Sequence, residues 1–331
     1  MRRPLFVLAI LVACNSPAPP RAATPASTSP SLQPPAEMSH GEAPVGMPTT
    51  KATRSAEAPP RATSRRHRVR MTTVAVRHEV SPGVWYDAWT FDSLVPGPVL
   101  RATVGDTIDF TLVNSADMPH SMDFHAAEIA PNRAYRNVMP KDSVQFTFVP
   151  RVPGVFMYHC GTAPVAAHIA NGMYGALIID PAKPRPAAQE FVLVQSEFYM
   201  GAGQGKDSVH ALDWQKLLGA SPDFVTFNGV ASRYASHPIS VRAHAPIRLY
   251  VVNAGPNRFS AFHVVGGIFD AIYVDAFGSP LRGVQTYNVP VGGGAIFELR
   301  LAEPGLYPFV SHAFADATKG AMGVLDATPP K

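Results

Sequence analysis

Residues 153–177 read PGVFMYHCGTAPVAAHIANGMYGAL, and residues 304–325 read PGLYPFVSHAFADATKGAMGVL. Both stretches open on Pro-Gly and a short apolar run, Pro153-Gly154-Val155-Phe156 in one and Pro304-Gly305-Leu306-Tyr307 in the other. Both close on a glycine-bounded strand pattern, Gly172-Met173-Tyr174-Gly175-Ala176-Leu177 matching Gly320-Ala321-Met322-Gly323-Val324-Leu325. In the same register, Val104-Gly105-Asp106-Thr107-Ile108 through Asn114 corresponds to Ala243 through Asn253, so the chain reads as a duplicated domain. Alternation in Ile108-Phe110-Leu112, Val144-Phe146-Phe148 and Ile296-Glu298-Leu299, broken by Gly, Pro and Asp, gives the all-β class and two tandem β-sandwiches. The 331 residues suit two domains of roughly 110 to 140 residues each. The boundary falls near Pro181 to Pro186, giving residues 70–183 and 184–331. One helix is predicted, over Val209 to Leu218, capped from Asp207-Ser208 in a long connection.

The N-terminus carries Met1-Arg2-Arg3 and an apolar run from Leu5 to Ala13, too short for a permanent membrane span but suited to a secretory leader. Leu11-Val12-Ala13-Cys14 resembles a bacterial lipobox, so residues 1–14 are expected to be a lipoprotein signal with Cys14 acylated. From Asn15 to about Ser64, Pro, Ala, Ser and Thr dominate, and residues 15–69 are expected to form a disordered tether to the first domain. Met38, His40 and Met47 in that tether are copper-ligand types, though such residues in linkers are usually incidental. The formal charge of +4 is carried by Arg54, Arg61, Arg65, Arg66, Arg68 and Arg70 just ahead of the first strand, and no nucleic-acid signature accompanies them.

Cys160 is the only cysteine besides Cys14, so an exported chain has no internal disulfide to form and its thiol needs another use. His120, Cys160, His168 and Met173 supply a thiolate, two imidazoles and a thioether, the ligand set of a blue-copper electron-transfer site. The second half has no cysteine after Pro304-Gly305, and Ala321 stands where Met173 does, so only the first domain can hold such a site. Neighbouring residues on a strand point to opposite faces, so an inward Cys160 sets His159 outward. The same parity lets Asp123, His125 and His159 share one outer face, and His312 at the matching strand end of the second domain is the candidate third imidazole.

His120-Ser-Met-Asp123-Phe-His125, Tyr158-His159-Cys160, Ala163-Pro-Val through His168 to Met173, and Phe262-His263-Val-Val265 resemble the copper-containing nitrite reductases over residues of about 70 to 327, nearest their lipid-anchored, outer-membrane branch. The resemblance implies two cupredoxin-like Greek-key sandwiches that reduce nitrite to nitric oxide. It implies type 1 copper on His120, Cys160, His168 and Met173, and type 2 copper on His125, His159 and His312. Asp123 and His263 are then the proton-handling pair, and Val265 lines the substrate pocket. It further implies a homotrimer whose type 2 sites lie between subunits, a small cytochrome c or cupredoxin as electron donor, and an exported location, outer-membrane or periplasmic. Spacing alone leaves open whose His312 completes the site.

Two rival classes share parts of this pattern. A two-domain multicopper oxidase needs several His-x-His pairs, and the chain has none. A plain electron-transfer cupredoxin leaves His125, His159, His312, Asp123 and His263 without a role. Glu128 to Val138 differs from the glycine-rich loop of the best-known nitrite reductases and bears on donor docking or substrate access. His67, His78, His210, His237 and His244 lack partners at ligand spacing and read as surface or structural residues.

Overall fold

Alternation along the sequence becomes strand faces in the computed structural model, which describes residues 47–50, 55–204, 208–274 and 278–329. The first half builds β1 (Arg66–Ser81), β2 (Val84–Phe91), β3 (Leu100–Thr103), β4 (Thr107–Asn114), β5 (Asp123–Phe124), α1 (Pro131–Ala134), β6 (Ser143–Phe148), β7 (Gly154–His159), α2 (Val165–Ala170) and β8 (Tyr174–Asp180). It continues through β9 (Gln189–Phe198), β10 (Met200–Gln204), β11 (Val209–Leu212), α3 (Trp214–Leu218), β12 (Phe224–Phe227), α4 (Arg233–Ser236) and β13 (His237–Arg242). The chain ends with β14 (Ile247–Gly255), β15 (Ser260–Val264), β16 (Ala271–Val274), β17 (Thr286–Val289), β18 (Gly294–Leu299), β19 (Gly305–Ser311), α5 (Phe314–Thr318) and β20 (Met322–Thr328). Among the described residues no helix is long and apolar enough to cross a membrane.

Four sheets result, ordered β10-β11-β2-β1-β4-β6 and β3-β8-β7-β5 in one sandwich, β12-β9-β14-β18-β16 and β13-β20-β19-β15-β17 in the other. The halves repeat one wiring scheme: β1 runs parallel to β4 as β9 does to β14, and β7 pairs antiparallel with β8 as β19 does with β20. Even single side chains repeat. Asn114 donates to the carbonyls of Met118 and Val138, and Asn253 to those of Arg258 and Val289, so each amide ties the end of its strand to the loop that follows.

Strand β4 buries Ile108, Phe110 and Leu112 while Thr107, Asp109 and Thr111 face outward, as a half-buried strand should. Strands β8 and β14 are instead buried throughout. The reason is a third apolar core between the sandwiches, where Tyr174, Ala176 and Ile178 of β8 meet Val192, Val194, Tyr250 and Val252. Buried charges cross the same seam: Arg101 bonds Asp180 and Glu190, and Arg248 bonds Glu190 and Glu298. The described residues accordingly belong to one compact unit.

Two expectations need correction. The tether expected over residues 15–69 ends earlier: β1 starts at Arg66, Ala56 is buried in the second sandwich's core, and Ala58 N–H and Val192 N–H bond the carbonyls of Glu190 and Ala56. A polar, proline-rich segment orders here because an open strand offers its backbone partners. The helix expected over Val209 to Leu218 shrinks to Trp214–Leu218, capped by the Asp213 carboxylate on Lys216 N–H, because Val209–Leu212 pairs as a strand with β2. Cys14, Met38 and His40 lie outside the described residues, as do residues 1–14.

Candidate metal centres

The first cluster sits inside the first sandwich's own core. Strand β7 ends at His159, and Cys160 follows with its side chain packed among core residues and fully buried. Its sulfur lies 3.4 Å from His168 Nδ1 and 3.9 Å from His120 Nδ1, and the two Nδ1 atoms are 3.2 Å apart. His168 projects from the short helix α2, and His120 is fixed by two backbone hydrogen bonds with Val138. Met173, also fully buried, accepts Cys160 N–H at its carbonyl and donates its own N–H to the His168 carbonyl. Trp89 packs edge-on against the His168 ring, which limits its freedom to turn. Burial pushes the Cys160 thiol up, against hydrogen bonds from Ser121 and Thr162. A cysteine sulfur and two imidazoles converging where water is excluded, with Met173 buried in the same core, fit a soft, redox-active ion such as copper.

One residue earlier the chain faces the other way. Asp123 stands directly across from His159 in the β5–β7 register, and His125 follows two residues on. His159 Nε2 lies 3.1 Å from His125 Nε2 and 3.9 Å from Asp123 Oδ2. Both rings are committed at their other nitrogen. His159 Nδ1 donates to the Cys160 carbonyl at 2.9 Å and His125 Nδ1 to the Gly292 carbonyl at 3.0 Å, which leaves both Nε2 lone pairs for a metal. The set is open, with His125 exposed and Asp123 partly so.

His312 is not part of that set. Among the described residues the convergent ligand groups are His120, Cys160 and His168, and Asp123, His125 and His159. His312 is exposed just beyond β19, its N–H bonded to the Ala261 carbonyl, and its ring lies 5.5 Å from that of His263 on β15. His263 Nδ1 donates to the Gln285 carbonyl at 2.7 Å. Val265, just past β15, is 46% exposed. Among the described residues a single chain therefore carries one buried set and two separate imidazole pairs, His125 with His159 and His263 with His312.

Sequence reading missed the carbonyls of Gly292 and Gln285, because any residue type can supply one. It also missed Trp89. The segment 128–138 is built in, with Ile129 against the core, Tyr135 donating to the Phe124 carbonyl, and Asn137 accepting from Thr162 beside Cys160. The five histidines read as structural are engaged or peripheral: His67 bonds Asp106, His78 the Gly229 carbonyl, and His210 the Gly201 carbonyl.

A family model described as multicopper oxidase matches residues 73–184. The chain is 39% identical over 264 residues to a copper-containing nitrite reductase of Neisseria gonorrhoeae, covering 78% of this chain and 67% of that one. Among solved structures it is similar to the copper nitrite reductase of Nitrosomonas europaea, with a TM-score of 0.74, 34% identity, and coverage of 80% and 94%. It is similar also to the copper-containing nitrite reductase of Thermus scotoductus, with a TM-score of 0.73, 31% identity, and coverage of 80% and 62%.

Proposed function

Since the chain belongs to the copper-containing nitrite reductases, we propose that it reduces nitrite by one electron and two protons to nitric oxide and water, the electron entering at the buried centre and leaving at the exposed one. The observation that carries this reading is the junction of the two ligand sets at adjacent residues, Cys160 facing inward and His159 outward on cupredoxin-like sandwiches.

His120, Cys160, His168 and Met173 hold type 1 copper in this reading, and His125, His159 and His312 hold type 2 copper. Bound there, copper would supply the one-electron change at both centres and, at the open one, Lewis acidity toward the anion. The protein's own groups do the rest. The Nδ1 hydrogen bonds of His125 and His159 hold their rings still, and the peptide link between His159 and Cys160 gives a short covalent path for the electron. Asp123, beside the His159 Nε2, donates a hydrogen bond to a nitrite oxygen and gives up a proton to it. His263, its Nδ1 bonded to Gln285, keeps Nε2 for the second proton, and Val265 limits how the small anion lies.

The type 2 site is completed between copies in a homotrimer, His312 of one chain joining His125 and His159 of the next. Two features support this. His312 stands apart from the other two imidazoles within one chain, and the exposed Phe314, Ile268, Val265 and Val291 surround the separated pairs in sequence with apolar surface that a monomer would leave wet. The chain is exported and held at the outer membrane through acylated Cys14, and it takes electrons from a small cytochrome c or cupredoxin.

The test is anaerobic incubation of copper-loaded protein with nitrite and a reduced donor, alongside a count of copper per chain. Two coppers and stoichiometric nitric oxide are expected. One copper, or nitrite left unchanged, would overturn the assignment.

A further inference from the structure

On the second half, the imidazoles of His263 and His312 depend on the open end of the β15–β19 pair. The antiparallel register places Phe262 opposite Ser311 and His263 opposite Val310, after which the pair is held by the His312 N–H to Ala261 carbonyl bond. Beyond that point the chain leaves into α5. A chain of charged groups closes this end. Glu197 of β9, 1% exposed, accepts from Tyr199 hydroxyl, from Asn257 N–H at 3.1 and 3.2 Å, and from Arg258 N–H at 2.6 Å. Arg258, two residues ahead of β15, then donates Nε to both carboxylate oxygens of Asp316 at 3.1 and 3.2 Å. Asp316 is 2% exposed, and its backbone N–H returns to the carbonyl of Ala313, the residue after His312.

We propose that Glu197, Arg258 and Asp316 form a positioning clamp for the second-half imidazoles, fixing His312 against His263 before any metal or partner subunit arrives. The clamp grips β15 from its N-terminal side and the exit of β19 through α5, the two segments that carry the histidines. Asp316 is a buried carboxylate paired with the Arg258 guanidinium, so removing that guanidinium strands a charge away from water and loosens the segment that carries His312. The other end reaches towards the first centre, since Asn257 Nδ2 donates to Tyr199 hydroxyl and to the Leu217 carbonyl of α3, and both residues pack on Ala170 of the His168 helix. The inference rests on the reading of His312 as a type 2 ligand, while the clamp itself is a property of the metal-free fold.

The experiment compares wild type, Asp316→Asn, Arg258→Gln and Arg258→Lys as full-length protein. Copper per chain and the visible thiolate band are measured after loading and dialysis, and amide hydrogen exchange is followed without metal. Asp316→Asn and Arg258→Gln are expected to keep the thiolate band, to hold the second copper about tenfold or more weakly, and to exchange the His312 amide faster. Arg258→Lys should restore part of both losses. Wild-type copper retention with unchanged exchange at His312 would overturn the proposal. So would loss of both coppers together with a fallen unfolding midpoint, which marks a general brace. If wild type binds no second copper, the ligand reading fails, while exchange at His312 still decides the clamp.

Discussion

The two ligand sets lie one residue apart on β7 yet obey opposite rules. The Cys160 set comes from one sandwich, is buried, and brings the donor atoms of His120, Cys160 and His168 together within a single chain. The His159 set is open, with two imidazoles beside Asp123 on the first half, while His263 and His312 form a separate pair on the second. An ion that only passes electrons gains from a rigid, dry pocket, because nothing has to enter. A site that binds an anion and delivers protons needs an opening and acid groups beside it, and the exposed His125 with Asp123 at its side offers both.

Removing one ligand from each set is the severest way to break this contrast. Cys160→Ser should abolish the visible thiolate band and donor-driven turnover while leaving one copper per chain on the exposed set. His312→Ala should abolish turnover as completely and keep the band. Absorption spectra and copper counts on the two variants decide the matter, and loss of colour in His312→Ala would refute the division of ligands.

A smaller effect is expected where the carboxylate beside His159 acts without holding metal. Asp123→Asn keeps the shape and loses the transferable proton, so turnover should fall by about 10²- to 10⁴-fold with both coppers retained. Steady-state rates paired with copper analysis check this. A loss confined to the nitrite KM would mean that Asp123 only binds.

How far this contrast was legible in the sequence follows from what each part depends on. Strand parity is a rule of period two, so inward Cys160 and outward His159 could be read from neighbours alone, and the register of Asp123 opposite His159 agrees. The repeat around Pro153 and Pro304 was legible because strands and turns set it locally. Illegible were interactions whose partner is backbone, such as Gly292 behind His125, and those that only the tertiary fold brings together, such as Arg258 with Asp316. The ordering of Ala56 and Ala58 was hidden for a related reason, since composition reports how much a segment can bury and not whether a free strand edge awaits it. Val209–Leu212 looked helical by its neighbours and became a strand because β2 offered pairing.

The smallest predicted effect concerns the seam that keeps the two regions in register. His78 of β1 is buried there, stacked on Phe198 and bonded to the Gly229 carbonyl of the second half at 2.6 Å. Burial pulls its pKa down to about 4, opposed by the Gly229 hydrogen bond and by Glu79. The folded state therefore binds a proton less readily than the unfolded chain between pH 6.5 and 4. Stability from this residue is complete above pH 6.5 and is lost as pH falls through 4, by up to about 3 kcal/mol. Glu197 runs the other way, because burial raises its pKa to about 6, so its contribution is greatest below 4.5 and fades as pH rises through 6. The two slopes partly cancel between pH 4.5 and 6, and below 4.5 only the His78 loss goes on growing. Chemical denaturation of wild type and His78→Gln across pH 7 to 4 should show the variant's disadvantage shrinking, or reversing, as the solution is acidified. A constant difference over that range would mean that His78 takes up its proton at the same pH in the folded seam as in the unfolded chain, and that the seam is wetter than the cores on either side.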